Sequence, residues 1–408
     1  MASNLLIAMS GGTTTVINST LAGIVKEARR SKAFKRIFAG FPGIFGILAG
    51  KVTELTHLSE EALGRLRVTP GSASIGTTRV GILTPENMTC FDRFCRQQDI
   101  RSFINIGGNG TIKQTRAIAS QLGTNITVAA APKTVDNDLG DDLFEDVFFT
   151  PGFPSCVNHW ITLGCLLNIE NLGACSHDQV LVAQTFGRET GFLAGAARMA
   201  DPDRKWPLLI LLPEDQRPLD AVLGAIDDLL SRCGRVVVVM SEGYQIGNIG
   251  QTYDATGQIM YGTSKTTAAQ LLVDALFEVG IQARSFIPTI LQRQCFYDTL
   301  KFDLDIAERL GIRAVAQLNA GDSEFLVSCK NPARNTNIID SVPFRLFENY
   351  SRTLPQRFVL SGAFDVSDSY IQYLRDLFLV SRFETHYLSP QDKFFMPDEL
   401  IQYKQNGC

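Results

Sequence analysis

The sequence predicts an α/β protein with two Rossmann-like, doubly wound domains that share a cleft. Three observations support this fold class. Short apolar runs alternate along the chain with segments of helical periodicity, which is typical of strands and helices in parallel sheets. Glycine-rich or polar clusters follow most of the apolar runs directly. In addition, 408 residues exceed what one hydrophobic core usually serves.

Six apolar runs rich in Val, Ile and Leu predict parallel strands that are buried on both faces. They span residues 5–9, 103–106, 126–131, 180–183, 208–212 and 236–240. Four segments between them carry the helical pattern, at residues 19–29, 112–122, 219–230 and 266–279. The alternation predicts helices on both faces of each sheet.

The chain divides into three expected parts. They are an N-terminal α/β domain at residues 1–148, a second α/β domain at 149–291, and a returning segment with a C-terminal helical extension at 292–408. The sequence Pro151-Gly152-Phe153-Pro154 favours a crossover between the two domains, because glycine and proline interrupt regular structure. No low-complexity linker and no internal repeat is visible.

Composition argues against several classes of partner. The formal net charge of -4 is spread along the chain without a basic run, so we expect no nucleic-acid partner. The nine cysteines are scattered and form no C-x-x-C pair, which indicates reduced thiols. No apolar stretch reaches about 18 residues, and the opening MASNLLIAMSGG lacks the basic flank of a signal peptide. The sequence therefore predicts a soluble, cytoplasmic protein without a membrane partner.

Polar and glycine-rich motifs follow five of the predicted strands at their carboxyl ends. In chain order they read SGG, GGNGT, PKTVDND, FGRETG and SEGY. Ligands of doubly wound folds bind beyond the carboxyl ends of the parallel strands. We therefore expect all five motifs at one binding site.

Two of these motifs suit phosphate chemistry. GGNGT, at residues 107–111, follows a strand and opens a helix, where glycines permit close approach and free N–H groups point at an anion. A plain glycine turn before a helix explains such a string equally well. PKTVDND brings a cation, a hydroxyl and two carboxylates into one loop, from Lys133, Thr134, Asp136 and Asp138.

Phosphoryl transfer to an alcohol uses all four of these groups. One carboxylate can remove the proton of the hydroxyl, while the second holds Mg²⁺ against the phosphates. The alternative is structural, because the letters D-N-D also make a good N-terminal cap for a helix that follows them.

The chain resembles the phosphofructokinase family at these residues. PKTVDND is close to the family signature P-[KG]-T-I-D-N-D, and GGNGT is close to its G-G-D-G-[ST]. Further segments resemble the family in the same order: SGG, FPGIFG at 41–46, FGR at 186–188, SEG at 241–243, and Arg284 with Gln292-Arg293. The resemblance implies transfer of a phosphoryl group from pyrophosphate or ATP to a sugar phosphate, above all fructose 6-phosphate, in the cleft between the domains. In the family a neighbouring subunit supplies one phosphate-binding arginine, which implies a homodimer or homotetramer.

The resemblance also implies a role for each matched residue. Asp136 is the expected base for the sugar hydroxyl, with Thr134, Arg79 and Arg188 on the phosphoryl group in flight. The expected donor-binding residues are Gly11, Gly12, Gly108, Asn109, Gly110, Thr111 and Lys133. The expected sugar-phosphate-binding residues are Gly187, Glu242, Tyr244, Arg284 and Arg293. Asp138 and Asn109 are the expected ligands of Mg²⁺.

Two positions disagree about the phosphoryl donor. Gly110 leaves room for the adenosine of ATP, where pyrophosphate-using relatives commonly carry Asp. Lys133 places a cation where ATP-using bacterial relatives often have glycine. The length of the chain and its segment 364–374 resemble the longer pyrophosphate-dependent branch. We therefore expect pyrophosphate and keep ATP as the alternative.

Several positions depart from the family pattern. Asn109 and Thr13 replace acids, Val16 a glycine, Ile290 a His, Gln179 an Arg and Phe186 a Met. These changes leave open another ketose or sugar phosphate as acceptor, or a non-catalytic sugar-phosphate-binding subunit. A dinucleotide-binding oxidoreductase ranks last, because no G-x-G-x-x-G with a later acid is present.

Overall fold

The computed structural model of the chain describes residues 3–71, 74–254, 257, 259–332, 334–335, 337–349 and 351–379. Its strands, in chain order, are β1 (Ser3–Met9), β2 (Phe34–Gly40), β3 (Val52–Glu54), β4 (Ile100–Gly107), β5 (Thr127–Pro132), β6 (Val180–Thr185), β7 (Leu208–Leu211), β8 (Val236–Ser241), β9 (Ala283–Phe286), β10 (Phe325–Cys329) and β11 (Ile339–Pro343). Its helices are α1 (Ile17–Ser31), α2 (Gly43–Leu48), α3 (Glu60–Val68), α4 (Pro85–Gln97), α5 (Asn109–Leu122), α6 (Phe153–Ala174), α7 (Phe192–Ala196), α8 (Leu219–Cys233), α9 (Ala268–Glu278), α10 (Lys301–Asn319) and α11 (Asp368–Phe378). The six predicted strands are confirmed as β1 and β4 to β8, and the four predicted helices as α1, α5, α8 and α9.

The strands form two sheets in which parallel pairing dominates. The first has seven strands in the order β11-β10-β5-β4-β1-β2-β3, and only its edge strands β3 and β11 pair antiparallel. The second has four parallel strands in the order β7-β8-β6-β9. The central strands are largely apolar and buried, as β8 with the sequence VVVVMS illustrates. The predicted α/β fold class is confirmed.

The chain returns to the first sheet after it has built the second. β10 pairs in parallel with β5, and α10 packs against α1. Gly23 and Gly311 permit this close contact, because a Cβ at either position would collide with the backbone of the facing helix, at Glu308 and Thr20. The domain boundaries 1–148, 149–291 and 292–408 stay a prediction.

Helix α6 leads from the first sheet to the second, and its start is fixed from α10. The carboxylate of Asp303 accepts the backbone N–H groups of Gly152 and Ser155, each at 3.1 Å, and the hydroxyl of Ser155 at 2.6 Å. The first turn of a helix leaves N–H groups without partners, and a carboxylate satisfies them while it complements the positive end of the helix dipole. The loop between β5 and α6, which carries PKTVDND, is thereby anchored at its far end.

The sequence also led us to expect no membrane-spanning helix and reduced cysteines. Within the described residues, no helix combines the length and the apolar character that a membrane crossing requires. Eight of the nine cysteines lie in the described ranges, and these eight are free thiols. The predicted C-terminal extension includes α11, while residues 380–408 lie outside the described residues.

Candidate active site

A cavity of about 590 Å³ lies where the carboxyl ends of the two sheets face each other. The loops that follow β1, β4, β5, β6 and β8 all contribute to its wall, as the positions of their motifs predict. The sequence-predicted residues that line it are Gly11, Gly12, Arg79, Gly108, Asn109, Gly110, Thr111, Lys133, Thr134, Asp136, Asp138, Arg188, Glu242 and Arg293. Gly187, Tyr244 and Arg284 are the predicted residues that do not line it.

Lys133 ties the loop after β1 to the loop after β5. Its side chain is buried, and its ammonium group donates hydrogen bonds to the carbonyls of Ser10, at 2.9 Å, and of Gly12. Burial, with a smaller contribution from the positive charge of Arg293, lowers the pKa of Lys133 to about 7. An anion bound beside this group favours its charged form, so the site gains positive charge when a phosphate binds.

Asp136 and Asp138 bring two carboxylates into the cavity. Burial and the neighbouring charge of Asp138 raise the pKa of Asp136 to about 6, against the attraction of Arg188. Burial also raises the pKa of Asp138. The buried Oδ1 of Asp138 has no hydrogen-bond partner in the described part of the chain. The pair therefore offers a carboxylate suited to taking up a proton and an oxygen suited to binding a cation.

The interpretation of D-N-D as a helix cap is wrong. Asn137 has a left-handed backbone with a φ of 55°, and the next helix, α6, begins only at Phe153. Asn137 is fully buried, and its side chain is hydrogen-bonded to Thr150, Arg352 and Tyr373. Asp136 and Asp138 thus lie on either side of Asn137, whose buried side chain fixes the loop.

The N-terminus of α5 forms a second wall of the cavity. This helix of 14 residues begins at Asn109, directly after Gly108, and no side chain caps it. The N–H groups of Thr111 and Ile112 donate to the carbonyl of Gly108, so those of Asn109 and Gly110 and the positive end of the helix dipole are the groups that an anion can meet. A Cβ built on Gly110 meets no atom within 4 Å, so open space lies beside this residue. The wall can hold a phosphate and leaves room for a larger group next to it.

The loops of the second sheet place Arg188 and Glu242 in the cavity. Gly187 makes the turn before Arg188 with a φ of 133°, a conformation that glycine adopts without strain. Glu242 Oε1 accepts the backbone N–H of Arg188 at 3.3 Å. Burial, reinforced by the charge of Asp136, raises the pKa of Glu242 to about 8. A carboxyl group that keeps its proton near neutrality can both donate to hydroxyl groups and accept from them.

Arg293 reaches across the cavity toward the first glycine loop. Its guanidinium carbon lies 5.3 Å from the ring centre of Phe186, and its Nη1 lies 2.9 Å from the place that a Cβ on Gly12 would take. The side-chain oxygen of Gln292 accepts the backbone N–H of Phe186 at 2.8 Å and the indole N–H of Trp160 at 3.1 Å. Phe186, where the family has Met, therefore orients the guanidinium by a cation–π contact.

Tyr244 and Arg284 lie away from the cavity. The hydroxyl of Tyr244 donates to the carbonyl of Arg217 at 3.3 Å and accepts the N–H of the same residue at 3.2 Å. Arg284 lies on β9, at the edge of the second sheet, and pairs with Glu170 at 3.7 Å and with Asp178. Its side chain is 55% exposed, so a molecule outside this chain can reach it.

The sequence did not predict the part of the wall that Asp254 and residues 259–267 contribute. These residues follow β8 in the chain and include Tyr261 and Lys265. Burial and the nearby charge of Glu242 raise the pKa of Tyr261 to about 12. No motif marks these residues, and their only signal in the sequence is that they follow SEGY and precede the helical pattern.

Asp138 is the best candidate for a metal ligand, and Asn109 and Asp136 line the same cavity. The described ranges contain no group of three or more His, Cys, Asp or Glu side chains that could hold a metal by themselves. Mg²⁺ is usually held by one or two carboxylates and completes its shell with waters and substrate phosphates. The buried, unpartnered Oδ1 of Asp138 fits a cation of this kind.

Three kinds of comparison relate the chain to known proteins. The family model described as phosphofructokinase matches residues 4–318. The curated pyrophosphate–fructose 6-phosphate 1-phosphotransferase of Halomonas elongata is 28% identical over 397 residues, with 92% of this chain and 91% of that protein covered. The sulfofructose kinase of Alkalicoccus urumqiensis is 26% identical, with 79% and 82% covered. The crystal structure of a pyrophosphate-dependent phosphofructokinase from Nitrosospira multiformis has a TM-score of 0.81 and 25% identity, with 92% of each chain covered.

Proposed function

This chain belongs to the phosphofructokinase family, and we propose that it transfers a phosphoryl group from pyrophosphate to fructose 6-phosphate, yielding fructose 1,6-bisphosphate. One observation carries the proposal: the carboxylates of Asp136 and Asp138 share a single cavity with the cationic side chains of Lys133 and Arg188. The names of the similar proteins from Halomonas elongata and Nitrosospira multiformis support pyrophosphate as the donor.

Asp136 is the base of the proposed reaction. Its carboxylate takes the proton of the acceptor hydroxyl while that oxygen bonds to phosphorus and the bridging P–O bond of pyrophosphate breaks. The displaced phosphate leaves with the electron pair of the broken bond. A pKa of about 6 keeps Asp136 mostly ionised at neutral pH and still basic enough to accept a proton. Arg188, Arg79 and the hydroxyl of Thr134 stabilise the charge of the phosphoryl group in the transition state.

The donor lies on the first-sheet side of the cavity in this proposal. Lys133 and the start of α5 hold the pyrophosphate, with Gly11 and Gly12 allowing close approach of the backbone. Asp138 and Asn109 would hold Mg²⁺, which supplies neutralisation of the phosphate oxygens. The charge of Lys133 favours the short, highly charged donor, whereas the open space beside Gly110 makes ATP the second candidate.

The acceptor lies on the second-sheet side. Glu242 exchanges hydrogen bonds with the sugar hydroxyls, and the guanidinium group of Arg293 binds the anionic group of the sugar. Ile290 lines the same cavity without a polar group, which makes another ketose or sugar phosphate the second candidate acceptor. We place the reaction in the cytoplasm, where free thiols like those of this chain persist.

An assay with two donors tests the proposed function. Purified protein is incubated with Mg²⁺, fructose 6-phosphate and either pyrophosphate or ATP, and the formation of bisphosphate is followed. We expect turnover with pyrophosphate. Turnover with ATP alone would identify ATP as the donor, with its adenosine in the open space beside Gly110. Stoichiometric binding of the sugar phosphate without turnover, with either donor, would identify a non-catalytic binding subunit.

We expect a narrow, bell-shaped pH profile for kcat/KM with pyrophosphate. The value of kcat/KM for pyrophosphate should rise through about pH 6, because Asp136 acts only after it has lost its proton. It should fall above about pH 7, because Lys133 then loses the positive charge that binds the donor. Rates measured between about pH 5 and pH 9 at constant ionic strength test both limbs. A level rate above pH 7 would contradict the role of Lys133.

We propose that the protein is a homodimer or homotetramer in which Arg284 serves the cavity of a second copy. Its exposed place on an edge strand, away from the cavity of its own subunit, supports this assignment. Arg284→Ala should lower kcat/KM for fructose 6-phosphate by roughly ten- to a hundredfold, because charge-assisted hydrogen bonds to a phosphate are lost. Sedimentation of the wild type gives the number of subunits.

Mixed oligomers decide whether Arg284 acts across an interface. When the Arg284→Ala and Asp136→Asn chains are co-expressed, one cavity of each hybrid pair combines an intact Asp136 with an intact Arg284 from the neighbour. We expect the hybrids to recover activity well above that of either variant alone. Hybrids that form but stay as inactive as the separate variants would contradict the assignment.

A further inference from the structure

We propose that Arg352 and Tyr373 are positioning residues of the active site, which hold Asp136 and Asp138 in place by binding Asn137 between them. Both residues lie beyond residue 318, where the match to the family model ends. The inference rests on the proposed function, in which the two carboxylates act on the phosphoryl transfer. It extends the active site to residues 351–379, a described range that contributes no side chain to the cavity.

Arg352 is buried, and its guanidinium group is directed at the catalytic loop. Its Nε and Nη2 donate to the backbone and side-chain oxygens of Asn137, each at 2.8 Å. Its Nη1 donates to the carbonyl of Val147 at 2.6 Å, and its backbone N–H donates to the carbonyl of Asp138 at 2.9 Å. Weaker bonds run to the carbonyls of Asp141 and Phe148 at 3.3 and 3.4 Å. One side chain therefore connects both ends of the loop from residue 137 to residue 148.

Tyr373, on α11, completes this contact. Its hydroxyl accepts the side-chain N–H of Asn137 and donates to the carbonyl of Phe148, each at 2.9 Å. Both polar atoms of the Asn137 side chain are thus bound to the C-terminal segment. A left-handed backbone outside glycine persists where the surroundings fix it, and asparagine tolerates it better than most residues. With Asn137 turned inward, its two neighbours line the cavity.

The charge of Arg352 indicates a purpose beyond packing. Its guanidinium group also lies over the rings of Phe144 and Phe192, at 4.2 and 5.7 Å from their centres. Burial lowers the pKa of Arg352, which reflects the cost of holding a cation there. Arg352 is nevertheless held there by hydrogen bonds to oxygens of Asn137 and Val147, so the buried cation fixes the conformation of the catalytic loop.

Two tyrosines of α11 provide a matched test. Tyr373→Phe removes the hydroxyl that binds Asn137, whereas Tyr370→Phe removes an equally buried hydroxyl that donates to the carbonyl of Phe192 instead. We expect Tyr373→Phe to lower kcat by about tenfold or more, with KM for both substrates within about twofold, because a supporting contact of the catalytic groups is lost. Tyr370→Phe should leave kcat within about twofold of the wild type.

Arg352→Lys separates the charge of the side chain from its geometry. Lysine keeps the positive charge but cannot bond to the acceptors of Arg352 at both ends of the loop at once, so we expect a loss in kcat of about tenfold or more. Full kcat in Arg352→Lys, or equal kcat in the two tyrosine variants, would overturn the proposal.

Amide hydrogen exchange keeps the test independent of turnover. We expect faster exchange in residues 134–150 of Tyr373→Phe than in the same residues of Tyr370→Phe. A wild type without turnover would refute the proposed function and leave the exchange result to decide whether the C-terminal segment holds the loop. Equal exchange in both variants would refute the positioning role itself.

Discussion

Asp136→Asn should lower kcat for phosphorylation of fructose 6-phosphate by roughly 10²- to 10⁴-fold, the range that a positioned general base contributes. The amide keeps the shape of the carboxyl group but cannot take the proton of the hydroxyl. KM for both substrates should change by less than about threefold, because the base acts mainly in the transition state. Initial rates in the bisphosphate assay measure both quantities.

The same substitution should not destabilise the fold. The charge of Asp136 raises the pKa of Glu242, and it repels the carboxylate of Asp138 beside it, so the substitution relieves repulsion between buried carboxylates. The midpoint of urea unfolding should therefore equal or exceed that of the wild type. Asp92→Asn on α4 is the matched control, since Asp92 lies outside the cavity and forms a surface ion pair with Arg96 at 2.9 Å. Undiminished turnover of Asp136→Asn would exclude this residue as the base.

Lys133→Met should lower kcat/KM for pyrophosphate by roughly 10²- to 10³-fold, the range found when one buried, preorganised hydrogen-bond donor is removed from an active site. Methionine retains much of the length of the side chain without the ammonium group. The carbonyls of Ser10 and Gly12 also lose their buried donor, which loosens the loop after β1. Rates with pyrophosphate, measured at saturating fructose 6-phosphate, give the effect.

A second lysine serves as the control for this substitution. Lys113 is exposed on α5 and does not line the cavity, so Lys113→Met should leave kcat/KM within about twofold. A loss in Lys133→Met that is confined to pyrophosphate would identify Lys133 as the residue that selects the donor. Wild-type kcat/KM with pyrophosphate would contradict its place in the donor site.

The sequence predicted the buried centre of both sheets and missed their margins. Strand β8, with the sequence VVVVMS, is a nearly continuous apolar run, and burial on both faces leaves that pattern in the sequence. β2, with the sequence FKRIFAG, begins with exposed charged residues, and β9 is only four residues long and partly exposed. Partly buried and short strands lack the uninterrupted apolar signal, because only part of each is removed from water.

The structure brings together the predicted residues whose motifs follow strands. Lys133, Asp136 and Asp138 lie on one such loop, and the fold brings them to the cavity. The cap interpretation of D-N-D could not be excluded from the sequence, because the left-handed conformation of Asn137 depends on Arg352, which is 215 residues away. The sequence around Asn137 gives no indication of a contact with a residue so far along the chain. For the same reason no motif pointed to Arg352.

Phosphorus NMR of the protein with Mg²⁺, pyrophosphate and fructose 6-phosphate tests phosphoryl transfer most directly, because it follows every phosphate in the mixture. We expect the pyrophosphate signal to be replaced by equal amounts of inorganic phosphate and of a second phosphate ester on the sugar, and we expect this change to be absent with Asp136→Asn. Pyrophosphate that persists, or that yields inorganic phosphate without a new sugar ester, would contradict the transfer of its phosphoryl group to fructose 6-phosphate.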